Sequence, residues 1–385
     1  EREGFQSRHP ILLTVGGVLT VARPRKHRVV SGCGAMDALF AGIEALLGTI
    51  LVVVSLASAF RTVVLPGAAF DRLSRGIFLG LRTLLRAIAR SQHRYDQEAV
   101  FSVHAPLGLL VMALAWATGI MLGFGLLFHA TAEVSFQDAF VLAGSSFTTL
   151  GFMPPDEGIH ELLAISAAIL GLGIVAMLLS YLPTIYGLYS RREVTVADVS
   201  IKSGGRAHGP DLLLRLSRGP DTRRIDDLWA DWGHWLIALG ETHTSEPSLS
   251  FFRSPREQRS WLAAASAVLD ASIVRNVVVD RPESLRADMT YRAGVEAMVS
   301  IADFFAVGPT ADADLVTRLT RADFDAMVAQ LDAAELPVVP DLDRAWETFA
   351  PMRAAFEPAL LGLCRLLLPP PSRWGADLLA RPEPR

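Results

Sequence analysis

The sequence has little cysteine, little charge in its first half and none of the common signatures of an active site. Cys33 and Cys364 are the only two cysteines in 385 residues, a count that excludes a disulfide framework and a cysteine-based metal site. No glycine-rich loop follows a strand pattern, so a dinucleotide-sensing domain is not expected. His234 and His243 have no partners at ligand spacing, and the polar turn at 241–245 is a weak signal. The chain therefore reads as a non-enzyme with no catalytic residue, no metal site and no cofactor. The second half lacks a dense basic patch, which argues against nucleic-acid binding. Residues 129–160 contain no lysine or arginine at all.

What is present divides the chain in two. Apolar residues make up 51% and charged residues 20%, with a net charge of -4 and a mean hydropathy of +0.34. Nearly all the long apolar runs fall within 38–190, whereas 191–385 scatters Asp, Glu and Arg as a soluble chain does. Three segments, 39–64, 107–128 and 162–188, are long enough to cross a bilayer of about 30 Å at about 1.5 Å per residue. Glu44 and Arg61 stand near the ends of the first. Glu44 reads as an interfacial residue or an intramembrane acid, and Arg61 as a snorkelling end residue. Ahead of these spans, the apolar run 11–19 is too short to cross and is followed by Arg23, Arg25, Lys26 and Arg28. The expectation is that 1–35 is extraneous or disordered and that translation starts at Met36.

Charge sets the orientation. Arg61, Arg72, Arg75, Arg82, Arg86, Arg90 and Arg94 lie between the first two spans, and Arg191 and Arg192 follow the third. The stretch between the second and third spans carries Glu133, Asp138, Asp156 and Glu157 instead. Basic residues stay on the cytoplasmic side. The reading is thus a multi-pass plasma-membrane protein with 129–160 outside and the C-terminal half in the cytoplasm. Within 71–90, Arg72, Arg75, Arg82, Arg86 and Arg90 fall in an arc of about 80° on a helix. That pattern suits an amphipathic helix on the inner membrane surface, or one packed on the soluble half.

The outer stretch is the informative one. Ser135-Phe136-Gln137-Asp138 reads as a capping box that opens an apolar helix of about three turns, through Ser146. Then come Phe147-Thr148-Thr149-Leu150-Gly151-Phe152 and two prolines, Pro154 and Pro155, which forbid further helix. A short apolar helix followed by an extended Thr/Gly segment, between two spans, is a re-entrant pattern. Irregular backbone at membrane depth is tolerated only where it is buried in protein or lines a watery path. The carbonyls of Thr149, Leu150 and Gly151, with the Thr149 hydroxyl, suit an ion's hydration shell. Gly151 permits a left-handed backbone, and the helix aims its negative end at the same place. Asp156 and Glu157 form an acidic outer vestibule that favours cations.

Span, Phe-Gln-Asp-Ala-Phe helix, Ser-Ser-Phe-Thr-Thr-Leu-Gly-Phe and a glycine-containing span resemble the two-helix pore module of potassium channels over about residues 100–190. The family's filters read Thr-Val-Gly-Tyr-Gly or Thr-Ile-Gly-Phe-Gly. The resemblance implies that Thr148, Thr149, Leu150, Gly151 and Phe152 form an ion filter for a monovalent cation, K+. It implies a homotetramer, because one loop is a quarter of a pore, and it places Gly171 or Gly173 near a gating hinge. Gly171, Gly173 and Pro183 suit close helix packing equally. The sequence departs from the family at Met153, where a second glycine stands, and at Pro154, where an aspartate usually follows. "Cation pore" is therefore the firmer expectation and potassium selectivity the open one. The alternative is a non-conducting or weakly selective module that serves as a membrane-anchored sensor or interaction protein.

The expected fold is an all-α membrane protein: three transmembrane helices with one re-entrant pore helix and filter, plus an all-α soluble domain. Its parts are 1–35, then 36–100 with the first span and basic helix, then 101–192 with the pore module. A linker at 193–222, a helical cytosolic domain at 223–375 and a tail at 376–385 complete it. Helical spacing covers 221–239, 255–274, 282–306, 321–334 and 342–368, and Trp229, Trp232, Trp235 and Trp261 are expected in its core. The sequence names no cytosolic ligand.

Overall fold

The computed structural model describes residues 34–65, 72–89, 100–132, 134–217, 222–256, 258–308 and 317–380. The expectations for 1–33, with Cys33 and the basic cluster, and for Arg90, Arg94, Glu133 and 381–385 lie outside the described residues. Among those described there is no β-strand, and Val279 and Val338 form an isolated antiparallel bridge. The helices are α1 (Gly34–Val63), α2 (Arg72–Ala89), α3 (His104–Thr131), α4 (Phe136–Phe147), α5 (Ile159–Lys202) and α6 (Gly209–Ser217). They continue with α7 (Thr222–Ser245), α8 (Trp261–Val277), α9 (Leu285–Phe304), α10 (Arg321–Asp332), α11 (Leu342–Ala354) and α12 (Glu357–Leu367). Two 3-10 turns, Pro247–Phe251 and Ala376–Ala380, join them.

Three helices, α1, α3 and α5, are long and apolar enough to cross a membrane. α1 and α3 pack through small residues, which let the backbones approach closely where lipid supplies no hydrophobic drive. A Cβ on Gly48 would lie 2.6 Å from the Gly123 carbonyl oxygen, and one on Gly119 would lie 2.2 Å from the Ser55 hydroxyl. The Trp116 indole N–H donates to the Ser58 hydroxyl at 3.0 Å, and the Glu44 carboxylate meets His129 Nδ1 at 2.7 Å. Glu44 is thus tied to α3 rather than left in lipid.

α5 runs on well past the expected third span. Its 44 residues measure about 66 Å, twice a hydrocarbon core. The stretch 193–202, expected to start the linker, stays helical because Val196 and Val199 turn to one side and are buried. α6 then occupies much of the remaining linker.

The C-terminal half is a helical bundle built round α8. Residues 261–274 of α8 are all buried and mostly apolar, with Asp270 the charged exception, paired to Arg353. Trp229, Trp232, Trp235 and Trp261 are buried as expected. The helix expected over 342–368 breaks between Ala354 and Glu357, because Pro358 has no N–H to donate back to Ala354. The expected tail at 376–385 begins as an ordered 3-10 turn, with Leu378 fully buried. Arg353 is buried in the bundle between two carboxylates. It donates to Asp270 at 2.7 Å, lies 3.5 Å from Glu357 and donates to the Trp374 carbonyl. Thr317 and the Arg318 amide donate to Glu357 at 2.7 and 2.6 Å, so both carboxylates are hydrogen-bonded, while Arg353 Nε meets Glu357 by charge alone.

Candidate functional site

α4 begins where its sequence says it should. The Ser135 hydroxyl accepts from the Asp138 amide at 3.2 Å and donates to the Asp138 carboxylate at 2.8 Å. Ala139, Leu142, Ala143, Ser145 and Phe147 form its buried face. Small residues bring it close to α3, where a Cβ on Gly125 would touch Phe140 at 3.4 Å. α4 therefore lies against α3 and α5, with its carboxyl end leading into 148–152.

That end is a left-handed turn. Thr148 donates its amide to the Gly144 carbonyl at 3.0 Å and its hydroxyl to the same oxygen at 2.6 Å. Thr149 has φ +59, and its amide donates to Ser146 at 3.0 Å. The amides of Leu150 and Gly151 both donate to the Ser145 carbonyl, at 3.0 and 3.3 Å. This is the hydrogen-bond pattern of a Schellman cap, with threonine at the position glycine usually takes. Gly151 follows at φ +66, and the Met153 amide donates to the Ser145 hydroxyl at 3.2 Å. Ser145 thus holds three successive parts of the loop through one carbonyl and one buried hydroxyl.

The consequence is chemical. With their amides turned back onto α4, Thr149, Leu150 and Gly151 keep their carbonyls uncommitted: among the described residues no group donates to them. All five residues from Thr148 to Phe152 are exposed on the single chain, Leu150 at 70% and Phe152 at 65%. Met153 turns instead toward the core and is partly buried. Asp156 and Glu157 are exposed just beyond the prolines, and Gly158 at φ +83 begins α5. The structure thus brings the predicted filter and vestibule residues onto one loop.

The two expected hinge glycines are unlike each other. Gly171 is buried against the carboxyl end of α4, where a Cβ would lie 1.9 Å from the Phe147 carbonyl oxygen. Gly173 has open space around it. Gly171 is therefore a close-packing site between α5 and the turn.

The sequence reading missed a junction about 33 Å along α5. There the helix is bound by 246–253 of the C-terminal half. The Tyr181 hydroxyl donates to Glu246 at 2.9 Å and lies 3.1 Å from the Ser248 hydroxyl. Tyr189 donates to the Arg253 carbonyl at 3.1 Å. Arg192, buried, donates to the carbonyls of Leu249 at 2.9 Å and Phe252 at 2.7 Å, and pairs with Glu193 at 2.8 Å. Burial, and then the Arg192 charge, hold His243 well below its usual pKa. The neutral ring donates from Nδ1 to the Leu239 carbonyl at 2.9 Å and accepts from Arg192 at Nε2, at 3.3 Å. The same strap also reaches α2 and α3: Phe251 stacks on Phe78 of α2 at 5.1 Å and meets the His104 ring of α3 edge-on at 5.1 Å. In sequence, Arg192 reads only as a basic residue that follows a span; its carbonyl partners lie about 60 residues away.

Among the described residues no group of three or more His, Cys, Asp or Glu is placed to hold a metal ion. Comparison with protein families, with curated proteins and with solved structures finds no match to the chain.

Proposed function

We propose that the chain is one subunit of an oligomeric cation channel of the plasma membrane, in which four copies set the 148–152 segments round a common axis. The observation that carries this reading is the turn at the end of α4. Its amides bond inward to Ser145 and Ser146, and three consecutive carbonyls are left for a ligand that only accepts coordination from oxygen. The negative end of α4 adds a favourable potential for a cation at that place. Asp156 and Glu157 supply an acidic mouth, and the absence of lysine and arginine over 129–160 leaves it unopposed. The re-entrant course of α4, the outer position of 148–157 and the cytoplasmic position of the helical bundle belong to this proposal. So does K+ as the permeant ion, which the Thr-Thr-Leu-Gly-Phe sequence favours.

One observation favours a second reading, a non-conducting membrane-anchored sensor. Met153 packs its side chain against the core and binds its amide to Ser145, so the outer end of the segment lacks the second glycine turn of the filters it resembles. Mass measurement of the protein in mild detergent separates the two. An oligomer with K+ flux in liposomes supports the channel, whereas a stable monomer cannot close a pore from one loop.

A further inference from the structure

Beside the strap that binds α5 lies a cavity of about 200 Å³. Its walls come from the start of α3 at Ser102, from 250–256, from the amino end of α8 and from the chain after α12. Three arginines line it, Arg253, Arg256 and Arg259, and no carboxylate does among the described residues. Arg253 is held in place: it donates to the Leu368 carbonyl and lies over the Phe101 ring at 4.8 Å. Arg256 and Arg259 have no carboxylate partner among the described residues. Ser250 and Ser254 also line it. The hydroxyls of Ser250, itself only 3% exposed, and of Ser254 are buried without a hydrogen-bond partner. The cavity also receives the positive end of α8, a 17-residue helix whose N-cap is Ser260.

From these groups we propose that the cavity binds a phosphate group, with Arg256 and Arg259 as its charged ligands and the amino end of α8 facing it. A nucleotide is too large for it, since pockets for drug-sized ligands run to about 300–1,000 Å³. A phosphomonoester or a lipid headgroup is of the right size. Ser102 stands just ahead of α3, the second membrane helix, so an anionic phospholipid can reach the site from the inner leaflet on the orientation proposed above. The wall of the cavity is also the strap that holds α5: the carbonyls of Phe252 and Arg253 accept from Arg192 and Tyr189. On the channel reading, on which this last step rests, the occupant bears on the pore-lining helix and acts as a gating ligand.

Trp261 lines the cavity and reports on it. Tryptophan fluorescence of the full chain in detergent is titrated with dihexanoyl phosphatidic acid, with inorganic phosphate and with dihexanoyl phosphatidylcholine. A saturable change with phosphatidic acid or phosphate, absent with phosphatidylcholine, is the expected result. The Arg256→Gln/Arg259→Gln double variant, with both changes at a partly or fully exposed position, should bind at least about tenfold more weakly, the loss of one charge-assisted hydrogen bond or more. Binding of phosphatidic acid alone assigns a lipid headgroup, and equal binding of inorganic phosphate assigns a free phosphate. No saturable change with either, or unchanged affinity in the double variant with an unchanged melting temperature, overturns the site. K+ efflux from liposomes with and without phosphatidic acid is read separately. Binding without any effect on a measurable flux refutes the gating link and leaves the site standing, and an absent flux counts against the channel alone.

Discussion

Replacing Gly171 by alanine should damage the candidate filter from behind. The new Cβ would sit 1.9 Å from the Phe147 carbonyl oxygen and 2.9 Å from its carbon. Carbon–oxygen contacts close only to about 3.3 Å, so α5 and the end of α4 must separate by more than an ångström. The atoms in the way are backbone, and the same turn fixes Leu150 and Gly151 on Ser145. Overpacking of this kind costs about 1–3 kcal/mol, set against about 1 kcal/mol gained from alanine in place of glycine within a helix. Gly173→Ala is the internal control, since it meets nothing within 4 Å and takes only the propensity gain. The two variants should therefore differ by roughly 1–3 kcal/mol, or several degrees in melting temperature at about 2–4 °C per kcal/mol. The assay is thermal unfolding in detergent followed by tryptophan fluorescence, with K+ flux from liposomes measured on the same preparations. Gly171→Ala melting as high as Gly173→Ala, with undiminished flux, would refute the packing argument.

Three further outcomes follow from the same structure. Gly151→Ala forces a side chain into φ +66, at a cost of about 1–2 kcal/mol, and should abolish K+ flux while leaving the bundle folded; full flux excludes this segment as the filter. Arg192→Gln removes the clamp on the Leu249 and Phe252 carbonyls, which should raise hydrogen exchange across 247–252, at about 1–3 kcal/mol per buried group left unpaired; unchanged exchange shows that the strap holds without it. Burial, eased by Arg353 and reinforced by Glu357, pushes the Asp270 carboxyl up to about 7 from an ordinary 3.8. A raised carboxyl stabilises the fold fully below the unfolded value and loses that contribution as pH rises toward the folded one. Between pH 3.8 and about 7 the melting temperature of Asp270→Asn should therefore fall less than that of the parent chain, and parallel curves would contradict the assignment.

Much of the membrane half was legible because its signals are local. Apolar runs of sufficient length mark α1, α3 and α5, and Ser135 with Asp138 marks the start of α4. Gly151 announced a left-handed residue, and the structure has one there. Thr149 did not, because a threonine rarely pays for positive φ; only the Ser145 and Ser146 carbonyls, which take the returning amides, hold it there. The polar run 193–202 read as linker because helix and linker differ there only in what Val196 and Val199 pack against. The junction at Arg192 and the cavity beside it were invisible for the same reason, since their parts come together from 102, 192, 250–261 and 367–370. The buried Asp270–Arg353 pair spans 83 residues and leaves no local pattern, although Arg353 and Glu357 stand one helical turn apart.

The central claim is that residues 148–152 conduct cations. The most direct test is the reversal potential of the reconstituted protein in a planar bilayer under a KCl gradient. The expected result is a current that reverses near the potassium equilibrium potential. Reversal at the chloride potential, or no conductance to any monovalent cation, would contradict it.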